Sequence, residues 1–475
     1  MLFRVATIVM LLLAAVGMQA PAQEPPVSVE EPPVMEETGP LVTLEEAIAT
    51  AVAANPALAA ARARVERAEA TVDEARSQGR LQASATASYL RFSPVSTFTI
   101  PGPDGPVEVE TRPSSQSSIN ATVSQPIDIT GRIRTGVQLA DIQLDIQQFG
   151  EAQALQQLIL DVKNAYYGVL RAQANVEVIQ ASIDVALERL RIAQAQFEAG
   201  VVARFDVTQA EVDVANLRQQ LIQAQGNVQI AKGVLNQTIG IDINRPFTVE
   251  DIVVDVGPVT VDVDAATEQA LAARPEIQQA TLGVELAETS VDFARKQDDP
   301  TLALIASADW TGQTSAFSPE NTSYTYGAQI TWPFFQGGAV KARVNQARSE
   351  VEIARQNLEQ ASLGVGLDVR SAAVNVMEAS RRVQTAQANV DLAQESLRLS
   401  RVRYQEGVAT SVEVTSAEAA LTEALTNLVN ARYDYLTAQA RLQRATASQP
   451  EYEALTTPTT MDVEVEPETP EGANE

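Results

Sequence analysis

Two residue types are missing altogether from this 475-residue chain, which has neither cysteine nor histidine. Without cysteine no disulfide can staple the fold in any compartment, and a lipid-anchored start of the bacterial lipoprotein kind is excluded. Without histidine the most versatile acid-base group and metal ligand is gone. The sequence also has no Gly-rich phosphate loop, no nucleophile elbow and no cluster of metal-ligand residues, so catalysis is not expected. Its one conspicuous acid pair, Asp298-Asp299 before Pro300, reads as the end of a helix before a strand. Basic residues are scarce, 34 against 61 acidic, and the net charge of -27 speaks against nucleic acid, whose phosphates demand a basic face.

Long apolar runs are scarce as well. One runs from Val5 to Val16, with Arg4 before it and Ala20-Pro21-Ala22 after it. That is the layout of a secretory signal peptide over residues 1–22; an uncleaved membrane anchor is the alternative, against which the run falls short of the roughly 20 apolar residues that spanning a bilayer needs. Residues 23–40 hold five acids and no base, and residues 448–475 hold eight acids and no base. Rich in Pro, Glu and Thr, both stretches read as disordered.

Between these ends the chain is written twice. Shifted by 207 positions, Pro126 falls on Pro333, Gly131 on Gly338, Gly200 on Gly407, Glu211 on Glu418 and Leu235 on Leu442. Upstream, "LVTLEEAIATAVAANPAL" from Leu41 answers "VDAATEQALAARPEI" from Val263 at an offset of 219. The two repeats cover 41–240 and 263–447, with a linker at 241–262. Each reads as helix, strand, strand, long helix, helix. A Pro- and Gly-rich loop from Ser93 to Gln116 in the first repeat shortens to Gly312 to Asn321 in the second.

The long helices carry apolar residues in alternating steps of three and four. Leu158, Val162, Val169, Ile183, Ala186 and Ala193 belong to this row in the first repeat, and Val365, Val369, Val376, Val383, Val390 and Leu397 in the second. The next helix of each repeat continues the pattern, through Val214, Leu221 and Leu235 and through Val414, Leu421 and Leu428. These are coiled-coil seams, and Gly200 and Gly407 are the turns of two helical hairpins. A helix from Arg132 to Glu198 is about 100 Å long at 1.5 Å per residue.

In the strands the period falls to two. Leu81, Ala83, Ala85, Ala87 and Tyr89 alternate with Gln82, Ser84, Thr86 and Ser88, and Ile119, Ala121 and Val123 with Asn120, Thr122 and Ser124. In the second repeat Leu302, Leu304, Ala306, Ala308 and Trp310 share a face, as do Tyr324, Tyr326, Ala328, Ile330 and Trp332. Segments of about ten residues with one polar face, one apolar face and aromatics near their ends mark a transmembrane β-barrel. The aromatics Tyr89, Trp310, Tyr324, Tyr326 and Trp332 form its expected girdle. Four strands cannot close alone in lipid, where open edges are not tolerated, so the chain must oligomerise. Two copies give eight strands and three give twelve. A periplasmic coiled-coil scaffold or adaptor without a barrel is the alternative that the residues leave open.

The duplication, the paired tips "QFEAGVVARFDVTQAE" and "RYQEGVATSVEVTSAE", and the entries "QPIDITG" and "WPFFQGG" to the long helices together resemble the TolC-like family of bacterial outer-membrane efflux and secretion channels. The resemblance covers roughly residues 41–447. It implies a mainly α protein with membrane β structure, a homotrimer sharing one twelve-strand barrel above a periplasmic α-helical barrel. It implies export of small molecules or proteins, without catalysis or cofactor. The partners it implies are outer-membrane lipid, a periplasmic adaptor and, through that adaptor, an inner-membrane pump. By position, Gly200, Val201 and Val202, with Gly407, Val408, Ala409 and Thr410, are the implied adaptor-docking tips. Asp206 and Glu413 are candidates for the periplasmic constriction, and Tyr404 for a brace of the closed tip that also continues the seam. Ala409 stands where some relatives carry a basic residue.

Overall fold

The computed structural model describes residues 39–103, 105–110, 114–252, 256–257, 259–312 and 321–456. The expected signal peptide, nearly all of the first acidic stretch and the chain beyond 456 lie outside these residues. In order the elements are β1 (Leu41–Val42), α1 (Leu44–Ala54), α2 (Pro56–Ser77), β2 (Gln82–Arg91), β3 (Thr97–Gly102), β4 (Gly105–Glu110), β5 (Ser115–Ile127), α3 (Arg132–Glu198) and α4 (Arg204–Ile239). After β6 (Thr248–Val249) come α5 (Val263–Ala273), α6 (Pro275–Arg295), β7 (Thr301–Thr311), β8 (Thr322–Thr331), α7 (Ala339–Gln405), α8 (Ser411–Ala445) and α9 (Pro450–Thr456).

The repeat is kept to the residue. α3 and α7 are each 67 residues long and begin and end 207 positions apart. Their seams are buried: Val162 and Val169 in α3 and Val369 in α7 have no exposed surface. Each long helix packs on the helix that follows it, and α3 also packs on α8, so the four helices form a row in the order α4, α3, α8, α7. The two copies start their long helices differently. Asp128 accepts hydrogen bonds from the backbone N–H groups of Ile133 (3.2 Å) and Arg134 (2.9 Å), supplying a carboxylate where the helix dipole is positive. The equivalent position in the second copy is Phe335, which has no such group.

What reads as one opening helix per repeat is two. Pro56 and Pro275 stand at the first position of α2 and α6, where proline's fixed φ suits a helix start and its missing N–H costs nothing. Asn55 caps α2 and also donates to the Thr238 carbonyl (2.7 Å), tying α1 and α2 to the end of α4.

β2, β5, β7 and β8 form one antiparallel sheet in that order, and among the described residues its outer edges pair with no further strand. Residues directly opposite share a face, and the register lines up Ala87, Ile119 and Trp310, then Val123, Ala306 and Tyr326. The other face aligns Ser88 with Ser118, whose hydroxyls are 2.8 Å apart, and Asn120 with Asp309 (2.5 Å). Both predicted faces are therefore present. The loop expected from Ser93 to Gln116 is not structureless: β3 and β4 pair within it as a hairpin, and β5 begins at Ser115.

The middle of the molecule holds the largest core. Tyr166 has no exposed surface, and its hydroxyl lies 3.0 Å from the Val42 carbonyl and 2.8 Å from that of Glu250. It fastens the parallel pair β1 and β6 to the side of α3, so the expected 241–262 linker is in part a strand of this core. The start of the expected disordered tail at 448 needs correction as well. Gln449 is buried, and α9 docks against α3, where the buried Lys163 ammonium meets Glu451 and Gln443, each at 2.9 Å. The composition of the tail cannot show this docking, because Lys163, the partner of Glu451, lies 288 residues away in sequence.

Candidate functional site

Both hairpin tips are built from the same turn. Gly200 and Gly407 have φ of 74°, the left-handed conformation that glycine adopts without a Cβ penalty. The N–H of Gly200 donates to Phe197 and that of Val201 to Gln196, both at 2.9 Å; Gly407 and Val408 repeat this with Tyr404 and Arg403. This pair of bonds satisfies carbonyls that the helix end would leave orphaned. Val201 and Val408 are consequently pushed into the open, at 72% and 67% exposure, while Val202 and Ala409 are half-buried and Thr410 is exposed. Phe205 and Val412, equivalent by the 207 shift, are as exposed as the valines. Each tip thus presents two uncovered apolar side chains, one before and one after the start of the return helix. Val201 and Val408 are among the tip residues expected from sequence, and Phe205 and Val412 are what the structure adds to them.

The three candidate constriction residues divide. Asp206 and Tyr404 meet where the hairpins converge. Ser411 donates to Asp206 (3.3 Å), and the Tyr404 hydroxyl donates to Gln196 (3.2 Å). Burial holds the Tyr404 hydroxyl above its ordinary pKa, with the Asp206 carboxylate pushing the same way and Arg189 opposing. Its ring packs beside Leu397, Val414 and Ala417, so it serves both the seam and the tip. Glu413 has a different partner, Arg403 at 3.2 Å, and both of those side chains are exposed.

Above the tips lies an ionic cluster that sequence reading did not find. Arg189 of α3 reaches Asp213 of α4 (2.6 Å) and both Glu418 (3.3 Å) and Thr415 of α8, and Arg401 of α7 joins Glu418 at 3.5 Å. All four helices meet there. The Arg189 side chain is 12% exposed, and burial lifts the Glu418 carboxyl above its ordinary pKa although both arginines pull it down. A cavity of about 490 Å³ lies beside the cluster, lined by Tyr404, Asp206 and Phe205 among others.

At the far end of the molecule the girdle residues share the apolar face of the sheet. Tyr89, Trp310 and Tyr324 stand toward the strand-to-strand loops and Tyr326 lies further in, while Trp332 follows the opposite end of β8. Phe334 and Phe335, each 81% exposed, extend that lower group, and the Phe334 ring meets Trp332 edge to face at 6.1 Å. Neither belongs to the expected girdle: they follow Pro333, where the period-two pattern that ends at Trp332 stops. No helix among the described residues is long and apolar enough to cross a membrane.

Comparison with known proteins agrees with this geometry. The family model described as "Outer membrane efflux protein" matches residues 47–240 and 266–448. Outer membrane protein TolC of Vibrio cholerae is 26% identical over 306 residues, covering 63% of this chain and 70% of its own. Alkaline protease secretion protein AprF of Pseudomonas aeruginosa is 27% identical over 296 residues, 61% of each chain. Among solved structures, the outer membrane protein VceC of Vibrio cholerae superposes with a TM-score of 0.67 at 20% identity, covering 85% of this chain and 95% of that one. CusC superposes at 0.72 and 18% identity, covering 85% and 91%.

Proposed function

This chain belongs to the outer membrane efflux protein family, whose members are outer-membrane channels rather than enzymes, and from that premise we propose that three copies assemble into a single export duct running from the periplasm to the outside. The carrying observation is the sheet. It has an apolar face uncovered within the chain, a polar face bonded across strands, and two open edges. Hydrocarbon rejects open edges, so β8 of one copy pairs with β2 of the next, and three sets of four strands make twelve. The row of four helices, open at α4 and α7, closes by the same operation into a periplasmic tube. A periplasmic scaffold that never met lipid would leave Tyr324, Tyr326, Ile330 and Trp332 facing water.

Small molecules or proteins leave through this duct, delivered by an inner-membrane pump and a periplasmic adaptor. The adaptor seats on the tips, where Val201 and Val408 with Phe205 and Val412 supply apolar contact around Gly200 and Gly407. Three copies each of Asp206 and Glu413 around one axis favour cations at the narrow end. Chain counting in detergent and planar-bilayer conductance test the reading together. Three chains and a cation-preferring pore are expected, with selectivity weakened by Asp206→Ala and by Glu413→Ala. A folded monomer that forms no pore overturns it.

A further inference from the structure

At the foot of the sheet, the end away from the strand-to-strand loops, Ile127 of β5, Leu302 of β7 and Ile330 of β8 stand opposite one another on the apolar face. Ile127 and Leu302 also line a cavity of about 590 Å³ where the sheet meets the helices. Ile133 and Leu139 of α3 and Phe293 of α6 complete its apolar wall. β5 and β7 are the inner strands of the sheet, so this cavity is built within one chain and not at a contact between copies. Gln82 and Thr301, from the polar face, give it polar neighbours as well.

The wall carries a positive charge that nothing neutralises. Arg132, the first residue of α3, lines the cavity with its guanidinium carbon 6.0 Å from the centre of the Phe293 ring, and among the described residues no carboxylate pairs with it. Asp128 is the one acid in the lining, and its carboxylate is occupied by the backbone N–H groups of Ile133 and Arg134. Asp298 and Asp299 do not line the cavity. Two more cations stand close by. The Arg134 side chain is exposed, and the Lys296 ammonium is held by neutral oxygens, the Thr135 hydroxyl (2.7 Å) and the Gly131 carbonyl (3.3 Å). Shifted by 207, Arg132 becomes Ala339 and Leu139 becomes Gln346, so the second repeat has lost both the charge and the apolar wall.

An apolar recess with surplus positive charge suits an anionic lipid, whose acyl chain needs the one and whose phosphate needs the other. Trp332, two residues past Ile330, sets the level. Indole rings settle at the water boundary of a bilayer, so in the membrane-spanning ring proposed above the cavity lies at the headgroups of the periplasmic leaflet. We propose that it holds one anionic glycerophospholipid per chain, with an acyl chain along Ile127, Leu302 and Leu139 and the phosphate on Arg132. Arg134 and Lys296 add to the attraction. The bound lipid fixes the depth at which the barrel passes into the helices, in a chain that has no cysteine to carry a covalent lipid anchor. The inference rests on that ring.

Native mass spectrometry of the full-length oligomer in detergent, with added palmitoyl-oleoyl phosphatidylglycerol or phosphatidylcholine, counts chains and retained lipids in one spectrum. Wild type is expected to keep one phosphatidylglycerol per chain and to release phosphatidylcholine. Arg132→Gln lowers phosphatidylglycerol retention about fivefold, the weight of one basic side chain beside an anionic lipid surface, and Arg132→Lys, which keeps the charge, keeps most of the lipid. Gly136→Leu tests the recess instead of the charge. Gly136 lines the cavity, and a Cβ there meets only the Phe293 ring, at 3.7 Å, so the larger side chain suits the helix and fills space that the acyl chain needs. Retention is expected to vanish in this variant with Arg132 in place. An oligomer of three chains that keeps both lipids alike, keeps neither, ignores Arg132→Gln or Gly136→Leu, or responds to Arg132→Lys as to Arg132→Gln overturns the phospholipid site and leaves the ring standing. A folded single chain overturns the ring, and the site with it.

Discussion

At the tips, single backbone angles decide the shape. A Cβ at Gly407 would meet nothing within 4 Å, so Gly407→Ala suffers from its φ of 74° and from no collision. The cost of a left-handed conformation is about 1–2 kcal/mol for an ordinary residue. Gly407→Ala is expected to speed hydrogen exchange at the second tip by a matching factor, and Gly407→Asn, which tolerates the same angle better, recovers part of the loss. Equal exchange in glycine and alanine forms would refute the strain account. Glu418 gives a second residue-level test through pH. Its carboxyl is raised by burial, so the folded state holds the proton more tightly than the unfolded state does. The resulting stability is fully present below the unfolded pKa and is lost as pH rises through the raised folded value. Melting of wild type relative to Glu418→Gln, whose neutral side chain does not titrate, is therefore expected to be most favourable in acid and to decline on the way to neutrality. A flat difference across that range rules the shift out.

Elements that repeat were legible, and elements that do not were hidden. The seven-residue seam and the 207 shift located α3 to its ends, because a regular period is a property of consecutive residues. Tyr89 and Trp310 could be assigned a face for the same reason. The Arg189 cluster could not, since its members lie on four helices and neither arginine recurs in the other copy. The hairpin of β3 and β4 was masked by its prolines and glycines, which serve a tight turn as readily as a loop. α9 was hidden because the partner of Glu451 is Lys163, buried in α3. Lys163→Met keeps the apolar stem and removes the charge, and a hydrogen bond to a charged group contributes about 1.5–3 kcal/mol. Loss of protection is expected across residues 450–456 in hydrogen exchange, with α3 and α7 unchanged. If α9 stays protected, its docking rests on Tyr452 and Gln449 instead.

Taken whole, the molecule is incomplete at every edge in the same direction. Among the described residues a four-stranded sheet with unpaired edges sits at one end of a row of four helices that is open at α4 and α7, and the ring of copies proposed above satisfies both by one rotation about a common axis. The rotation also fixes which face of the sheet meets lipid, and two neighbouring residues in the middle of β8 can test this. Tyr326 lies on the apolar face opposite Ala306, and Thr325 lies on the polar face opposite Ser307. An arginine facing hydrocarbon near the bilayer midplane costs about 2–4 kcal/mol, against little on a water-filled lumen. In the ring of three proposed above the copies carry that cost together, because a shared barrel cannot form with one face wrong. Tyr326→Arg is therefore expected to block insertion of the oligomer into membranes, while Thr325→Arg inserts normally and shifts conductance away from cations by placing three positive charges in the duct. The reverse pattern would turn the barrel inside out, and equal tolerance of both arginines would mean that the sheet never meets lipid.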